Sequence, residues 1–139
     1  MKNKELYYYK KAKEISRLSM FPKVHIGCIA VYKKNIIGVG FNSLKTNPMQ
    51  AKYNIYRNLV SNNGKPINDF IHAEISCLNS IKDLDIDFSK VELYIYRENF
   101  QKELAMSKPC LACENCIRDM GIKIVHYTDK NKYAKENYI

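Results

Sequence analysis

The residues best suited to chemistry fall in two short motifs, His72-Ala73-Glu74 and Pro109-Cys110-Leu111-Ala112-Cys113. One imidazole and two thiolates are typical zinc ligands. Three protein ligands leave the fourth tetrahedral corner to water, which is the catalytic rather than the structural arrangement. Glu74 is not needed as a ligand, so its carboxylate is available to move protons. The two motifs therefore predict a catalytic zinc ion held by His72, Cys110 and Cys113, with Glu74 as the proton carrier.

Both motifs are predicted to lie at the start of a helix. One helix begins near His72 and continues through Ile81, and another begins at the cysteine motif and ends at Gly121. A helix N-terminus carries about half a positive charge from its unpaired amides, so it stabilises thiolates and hydroxide. Because Cys110 and Cys113 are three residues apart, their sulfur atoms are expected on the same side of the first turn.

A structural role is the alternative interpretation of each motif. In that case His72 faces solvent, and the cysteines form a structural thiol cluster that includes Cys116. The presence of both motifs, in this order and each at a helix start, favours the catalytic site. We expect Cys116 to pack on its helix face, because a fourth protein ligand would close the site to water. The remaining cysteines and histidines are predicted to be structural: Cys28, Cys77, His25 and His126.

The rest of the chain predicts a helix, a β-hairpin and then helix–strand units in a single domain over residues 1–139. Few residues separate the last two strands, so these must pair antiparallel. Gly38 and Gly40 inside the second strand predict a close backbone approach or a bulge. The fold class is α/β: a three-layer α/β/α sandwich with a central mixed five-stranded sheet. The predicted helices cover residues 4–19, 49–60, 72–81 and 110–121, the strands residues 25–32, 36–41, 91–97, 122–127 and 132–139, and a loop residues 62–66.

Composition narrows the class of protein without naming a partner. The chain has 139 residues and no apolar run of the roughly 18 residues that span a bilayer, so a soluble protein without membrane contact is expected. Five cysteines, two of them at metal-ligand spacing, fit a reducing cytoplasm better than a disulfide framework. The net charge of +9 suits a phosphate-bearing substrate or nucleic acid. The lysines are scattered, however, so a general bias of composition explains the charge equally well.

The chain resembles the cytidine/deoxycytidylate deaminase superfamily over nearly its whole length. An H-x-E followed by P-C-x-x-C is the zinc motif of that superfamily. Residues 26–31 and 37–42 resemble its first hairpin and the asparagine that follows. Residues 107–113, followed by Gly121-Ile122, are most similar to the deoxycytidylate deaminase-like branch.

The resemblance implies a cytidine deaminase-like fold and zinc-dependent hydrolytic deamination of a cytosine nucleotide or nucleoside such as dCMP, with release of ammonia. It implies that His72, Cys110 and Cys113 bind Zn²⁺ and that Glu74 is the proton shuttle. It also implies that Asn42 contacts the sugar or base of the substrate. The backbone amides of Ala73 and Cys110 would stabilise the tetrahedral adduct. Small members of this fold commonly form homo-oligomers, and we expect one here.

Two alternative functions stay open. The first is deamination of a base within nucleic acid, either tRNA adenosine or cytosine in single-stranded DNA. Basic charge favours this function, whereas the compact chain and the antiparallel last strand count against it. The second is a non-catalytic, zinc-bound nucleotide-binding module, against which the presence of Glu74 argues.

Two further features bear on the substrate. Free cytidine deaminases usually have cysteine at the position of His72, which counts against that substrate class. The segment over residues 45–71 follows no branch that we can name, so it forms either part of the substrate pocket or an oligomer contact. Within it, Tyr53, Tyr56 and Arg57 either meet a base or phosphate or pack on their own helix.

Overall fold

The computed structural model describes residues 2–59 and 68–138 of the chain. None of the helices in these two ranges is long and apolar enough to cross a membrane. The loop predicted over residues 62–66 lies outside them. The helices and strands follow the order expected from the sequence: α1 (Asn3–Ser16), β1 (Ile26–Tyr32), β2 (Asn35–Phe41), α2 (Pro48–Leu59), α3 (Ala73–Ile81), β3 (Glu92–Arg97), α4 (Leu111–Met120), β4 (Ile124–Asp129) and β5 (Lys132–Asn137).

The strands form one mixed sheet in the order β2-β1-β3-β4-β5. Strands β3 and β4 run parallel, and the other neighbouring pairs run antiparallel. The predicted antiparallel pairing of the last two strands is confirmed, since Asp129 pairs with Lys132 across a short turn. Two parallel strands need a crossover connection, and α4 lies within the one that joins β3 to β4. The predicted C-terminus of α4 is also confirmed, because Gly121 ends it in the left-handed conformation with φ of 87°.

Helices cover both faces of the sheet, which confirms the predicted three-layer α/β/α sandwich. Side chains alternate across β1, as the period of a strand requires. Cys28 and Ala30 face the core shared with α2, α3 and α4, whereas Ile29 and Val31 face α1. The two cores are therefore separated by the sheet, and the larger one lies under the helices that carry the two motifs.

Helix α1 is shorter than predicted, because it ends at Ser16 and not at residue 19. The Ser16 hydroxyl donates to the backbone carbonyl of Lys13 at 2.6 Å, which competes with the regular helical pattern. Three residues later, the Ser19 hydroxyl donates to the backbone carbonyl of Asn42 at 2.8 Å. These contacts turn the chain away from the helix axis and toward the end of β2.

Glycines in β2 allow α3 to lie very close to the sheet, as predicted. A Cβ atom at Gly40 would clash with backbone atoms of Ala73 and Cys77. The β1–β2 register also shifts between Ala30 and Val31, opposite Gly38. The predicted close approach and the predicted irregularity are thus both present. The close approach fixes the first turn of α3, and with it the position of the first motif.

Candidate active site

The structure brings His72 and the two cysteines of the second motif together. His72 Nδ1 lies 3.6 Å from Cys110 Sγ and 3.4 Å from Cys113 Sγ. The three possible ligand atoms all lie within 4.8 Å of one another. Zinc–sulfur bonds of about 2.3 Å and zinc–nitrogen bonds of about 2.0–2.1 Å place nitrogen and sulfur about 3.6 Å apart at a tetrahedral angle. The side chains as they lie therefore fit a zinc ion with three protein ligands.

The predicted helix starts are confirmed for both motifs. His72 is the N-cap residue of α3, and Cys110 is the N-cap residue of α4; both have extended backbone conformations. A hydrogen bond from the Cys113 thiol lowers the pKa of Cys110 to about 4. The same contact, together with burial, raises the pKa of Cys113 well above its ordinary value. The contact between the two sulfur atoms therefore favours negative charge on Cys110 over Cys113.

Glu74 lies in the first turn of α3, and this residue is buried, with only 5% of its surface exposed. Burial raises the pKa of its carboxyl above the ordinary value, although the neighbouring His72 opposes this shift. A carboxyl group with a raised pKa exchanges protons more readily near neutral pH. Glu74 also lines the cavity next to the cysteine–histidine cluster, as a proton carrier must.

A buried amide network that the sequence analysis did not identify positions His72. Gln50 on α2 is fully buried, and its Oε1 accepts a hydrogen bond from the His72 backbone amide at 2.9 Å. Its Nε2 donates to Asn54 Oδ1 at 2.8 Å, and Asn54 in turn donates to Asp69 Oδ1 at 3.0 Å. The spacing of Gln50 and Asn54 on one face of a helix was the available signal, because buried amides need partners.

A second network holds the chain just before the cysteine motif. The Thr128 backbone amide donates to the Ser107 hydroxyl at 2.8 Å, and the Ser107 amide donates to the Thr128 carbonyl at the same distance. The Thr128 hydroxyl donates to the Ala105 carbonyl at 2.7 Å, and it accepts from the Arg97 amide at 3.1 Å. Strands β3 and β4 end at this network, so it ties the approach to Cys110 to the sheet.

A cavity of about 290 Å³ opens above the cluster. Glu74, His72 and Cys110 line it, and three cationic side chains line it as well: Arg57, Arg97 and Lys108. Asn68, Phe70 and Ile71 also contribute to the wall. Arg57 and these three residues thus bring part of the segment over residues 45–71 to the cavity wall, and its role in substrate binding or in an oligomer contact stays a prediction.

Asn42, which was expected to contact the sugar or base, lines this cavity. Its Oδ1 accepts from the Ile26 amide at 2.9 Å, and its Nδ2 donates to the Val24 carbonyl at 2.9 Å. Asn42 thus fixes one wall of the cavity, and its contact with substrate stays a prediction. The backbone amides of Ala73 and Cys110 lie at helix N-termini, where N–H groups lack intrahelical partners. Their role in binding an adduct also stays a prediction.

The other cysteines and histidines singled out in the sequence are not members of the cluster. Cys116 lies on α4 and is buried in the core, and burial raises its pKa to about 12. His126 stacks on Tyr94 with ring centroids 4.0 Å apart, and its Nε2 lies 2.7 Å from a Glu92 carboxylate oxygen. Both contacts favour the structural interpretation. Cys28 and Cys77 are fully buried, whereas His25 is exposed.

The tyrosines of α2 pack, and the arginine beside them faces the cavity. The Tyr53 hydroxyl donates to Asp119 Oδ2 at 2.9 Å, and the Tyr53 and Tyr56 rings stack with centroids 6.4 Å apart. Arg57 instead contacts His72, with 3.1 Å between Arg57 Nη1 and His72 Nε2. Of these three side chains, only that of Arg57 lines the cavity above the cluster.

The model of the cytidine and deoxycytidylate deaminase zinc-binding region matches residues 2–129. The chain therefore belongs to this family of deaminases. The matched range includes both motifs and the whole cavity wall described above. No curated protein matches the chain in sequence.

Solved structures of two deaminases share the fold. The dCMP deaminase from the cyanophage S-TIM5, in apo form, is 23% identical over 91% of this chain and 84% of its own, with a TM-score of 0.63. The same phage enzyme in complex with dCMP and dUMP has a TM-score of 0.62. A cytidine deaminase from Burkholderia pseudomallei is 15% identical over 99% of this chain and 94% of its own, with a TM-score of 0.65.

Proposed function

We propose that this protein catalyses the zinc-dependent hydrolytic deamination of a cytosine nucleotide, dCMP or a close relative, to the uracil nucleotide and ammonia. The observation that carries the proposal is the position of Glu74 beside the cluster of His72, Cys110 and Cys113, at a cavity that Glu74, His72 and Cys110 line. Family membership supports the reaction class, and the phage enzyme that shares the fold has been solved with dCMP and dUMP.

The cavity offers different chemistry to the two ends of a nucleotide. Glu74 lines it together with His72 and Cys110 of the cluster, which suits the base. Arg57, Arg97 and Lys108 also line it, and these cations suit a phosphate group. A nucleoside would leave them without an anionic partner. The charges of this cavity therefore favour a phosphorylated substrate.

His72, Cys110 and Cys113 would hold the zinc ion, which supplies a Lewis acid that makes water nucleophilic near neutral pH. Glu74 accepts a proton from the attacking water as the water oxygen adds to C4 of the cytosine ring. Glu74 then delivers that proton to N3 of the ring. Transfer of the remaining hydroxyl proton to the amino group lets ammonia leave, and a C4 carbonyl forms. Water and cytosine are thus converted to uracil and ammonia with no other reactant.

Ammonia release by the zinc-loaded protein tests the proposal. The substrates are cytosine, cytidine, deoxycytidine, CMP, dCMP, dCTP, adenosine and guanine, each assayed beside the Glu74→Gln variant. We expect release from dCMP or another small cytosine nucleotide, and loss of that release in the variant. Zinc-loaded protein that releases ammonia from none of these compounds would contradict the proposal.

Assembly and location stay predictions of the sequence. A homo-oligomer is expected, and light scattering on the zinc-loaded protein tests this expectation directly. A cytoplasmic location is expected from the free thiols, and fractionation of the source cells tests that one. Within the described residues, all five cysteines are free of disulfide bonds.

A further inference from the structure

A second depression, of about 350 Å³, adjoins the catalytic cavity. Val24 and Arg97 line both, so the two depressions share a wall. Lys23, Arg17 and Lys102 add positive charge to the second depression. None of these three cations takes part in the deamination chemistry described above.

Arg97 lies at the boundary of the two depressions, at the end of β3. Its backbone amide is fixed by the Thr128 hydroxyl at 3.1 Å, and its guanidinium makes a 3.3 Å contact with the Met106 carbonyl. A guanidinium binds phosphate through paired N–H groups. A phosphodiester that joins two nucleotides would meet Arg97 at this boundary, with one nucleotide in each depression.

An exposed aromatic ring lies at the rim of the second depression. Phe100 is 79% exposed, on a short loop that the Glu98–Leu104 bridge closes. Asn99 orders this loop, because its Oδ1 accepts from the amides of Gln101 and Glu103 at 2.9 and 3.0 Å. The ring is therefore presented by an ordered turn. Exposed aromatic rings beside cations are the stacking platforms of single-stranded nucleic-acid sites.

The carboxylate of Glu98 favours a second nucleotide over a polyphosphate tail as the ligand of the second depression. Its side chain is only 12% exposed, and it lies 3.5 Å from Arg17 and 3.7 Å from Lys102. The Tyr96 hydroxyl donates to its other oxygen at 2.6 Å. A fixed carboxylate repels the β- and γ-phosphates of a triphosphate, and it partly neutralises the two cations. A neutral base that stacks on Phe100 meets no such repulsion.

We propose that the second depression binds the nucleotide next to the target cytosine, so that short single-stranded nucleic acid is a substrate of this site. The inference rests on the proposed deamination and extends it from dCMP to a strand. The formal net charge of +9 then has a role in binding, since phosphate contacts made by lysine and arginine dominate affinity for nucleic acid.

Two measurements on the zinc-loaded full chain test this inference. The first compares kcat/KM for dCMP, dCTP and a single-stranded DNA nonamer that contains one cytosine. The second measures binding of the same nonamer, labelled with fluorescein, to the Glu74→Gln protein by anisotropy at several salt concentrations. Phe100→Ala and Lys23→Ala alter the second depression. Tyr7→Ala, at a half-exposed ring, and Lys90→Ala, at an exposed cation, are the matched controls elsewhere on the surface.

We expect kcat/KM for the nonamer to exceed that for dCMP at least tenfold, and Phe100→Ala to lower this ratio about tenfold. Lys23→Ala should lower the salt dependence of nonamer binding, and the two controls should change neither quantity. Turnover of dCMP without any advantage for the nonamer would overturn the inference and leave the proposed deamination intact. An advantage confined to dCTP would overturn it in favour of a polyphosphate site. If no compound is deaminated, the anisotropy measurement of nonamer binding still tests the inference. Weaker binding to the Phe100→Ala variant would support binding of the strand in the second depression, and unchanged binding would refute it.

Discussion

Arg57 Nη1 lies 3.1 Å from His72 Nε2, the ring nitrogen opposite the one that faces the two cysteine sulfurs. Arginine only donates, so Nε2 must accept and the ring proton must lie on Nδ1. A metal bound through Nδ1 requires that proton to be on Nε2 instead, and two donors would then face each other. Zinc binding is therefore expected to move the Arg57 guanidinium away from His72 and into the cavity that it already lines.

Replacement of Arg57 tests this competition. We expect Arg57→Met to bind zinc about fivefold more tightly, because a positive charge and an opposing donor next to the ligand are both removed. The same variant should raise KM for dCMP about tenfold, with a smaller effect on kcat, because a phosphate-binding cation is lost. Competition with a chelating dye measures the zinc affinity. Arg118→Met, whose guanidinium lies over the Tyr138 ring, is the control. Equal zinc affinities of Arg57→Met and the unmodified protein would contradict the account.

The apparent zinc affinity should rise with pH. The pKa of Cys110 is about 4, so that residue is already a thiolate at neutral pH. The pKa of Cys113 is raised well above its ordinary value, so its thiol proton must be displaced by the metal. Displacement of this one proton makes the apparent Kd fall about tenfold for each pH unit where Cys113 is protonated and His72, whose pKa is also raised, is already neutral. Calorimetry in buffers of different ionisation enthalpy counts the protons, and a pH-independent Kd would refute this protonation scheme.

The β1–β2 hairpin contains a local conflict that a substitution should relieve. Lys33 and Lys34 form its two-residue turn with φ of 50° and 69°, a conformation that favours Asn and Gly. We expect Lys33→Asn combined with Lys34→Gly to raise the free energy of unfolding by about 1 kcal/mol. Lys130 lies in the β4–β5 turn without a positive φ, so Lys130→Gly should not stabilise the protein. Urea denaturation of both variants measures the difference, and equal stabilities would contradict the expectation.

Much of the fold was predictable because its signals are local. The strand at β1, the glycines of β2 and the short connection before Lys132 depend on neighbouring residues alone, and the structure confirms each of them. Element ends are less local: β4 covers Ile124–Asp129 and not residues 122–127, and α1 ends at Ser16, before the Ser19–Asn42 contact between distant segments. Sequence periodicity carries no information about such a contact.

The residues of the candidate site also fall into those with a local sequence signal and those that depend on the tertiary fold. Both motifs were readable because metal ligation demands particular residue types at fixed spacing. Gln50, Arg97 and Thr128 were not identified, since each acts through a partner that only the tertiary fold brings near. For Gln50 the pattern of buried polar residues on α2 was a usable signal. For Arg97 the only signal was its position at the end of a strand, where many exposed arginines also occur.

The central claim is that Glu74 moves protons beside a zinc ion held by His72, Cys110 and Cys113, and turnover of dCMP per bound zinc tests it most directly. Metal content and the formation of dUMP and ammonia would be measured on the same samples of the unmodified and Glu74→Gln proteins. The account predicts one zinc per chain in both the unmodified and the Glu74→Gln protein. It also predicts equal amounts of dUMP and ammonia from the unmodified protein, and turnover at least a hundredfold lower in the variant. Full zinc content with equal turnover in the two proteins would contradict it.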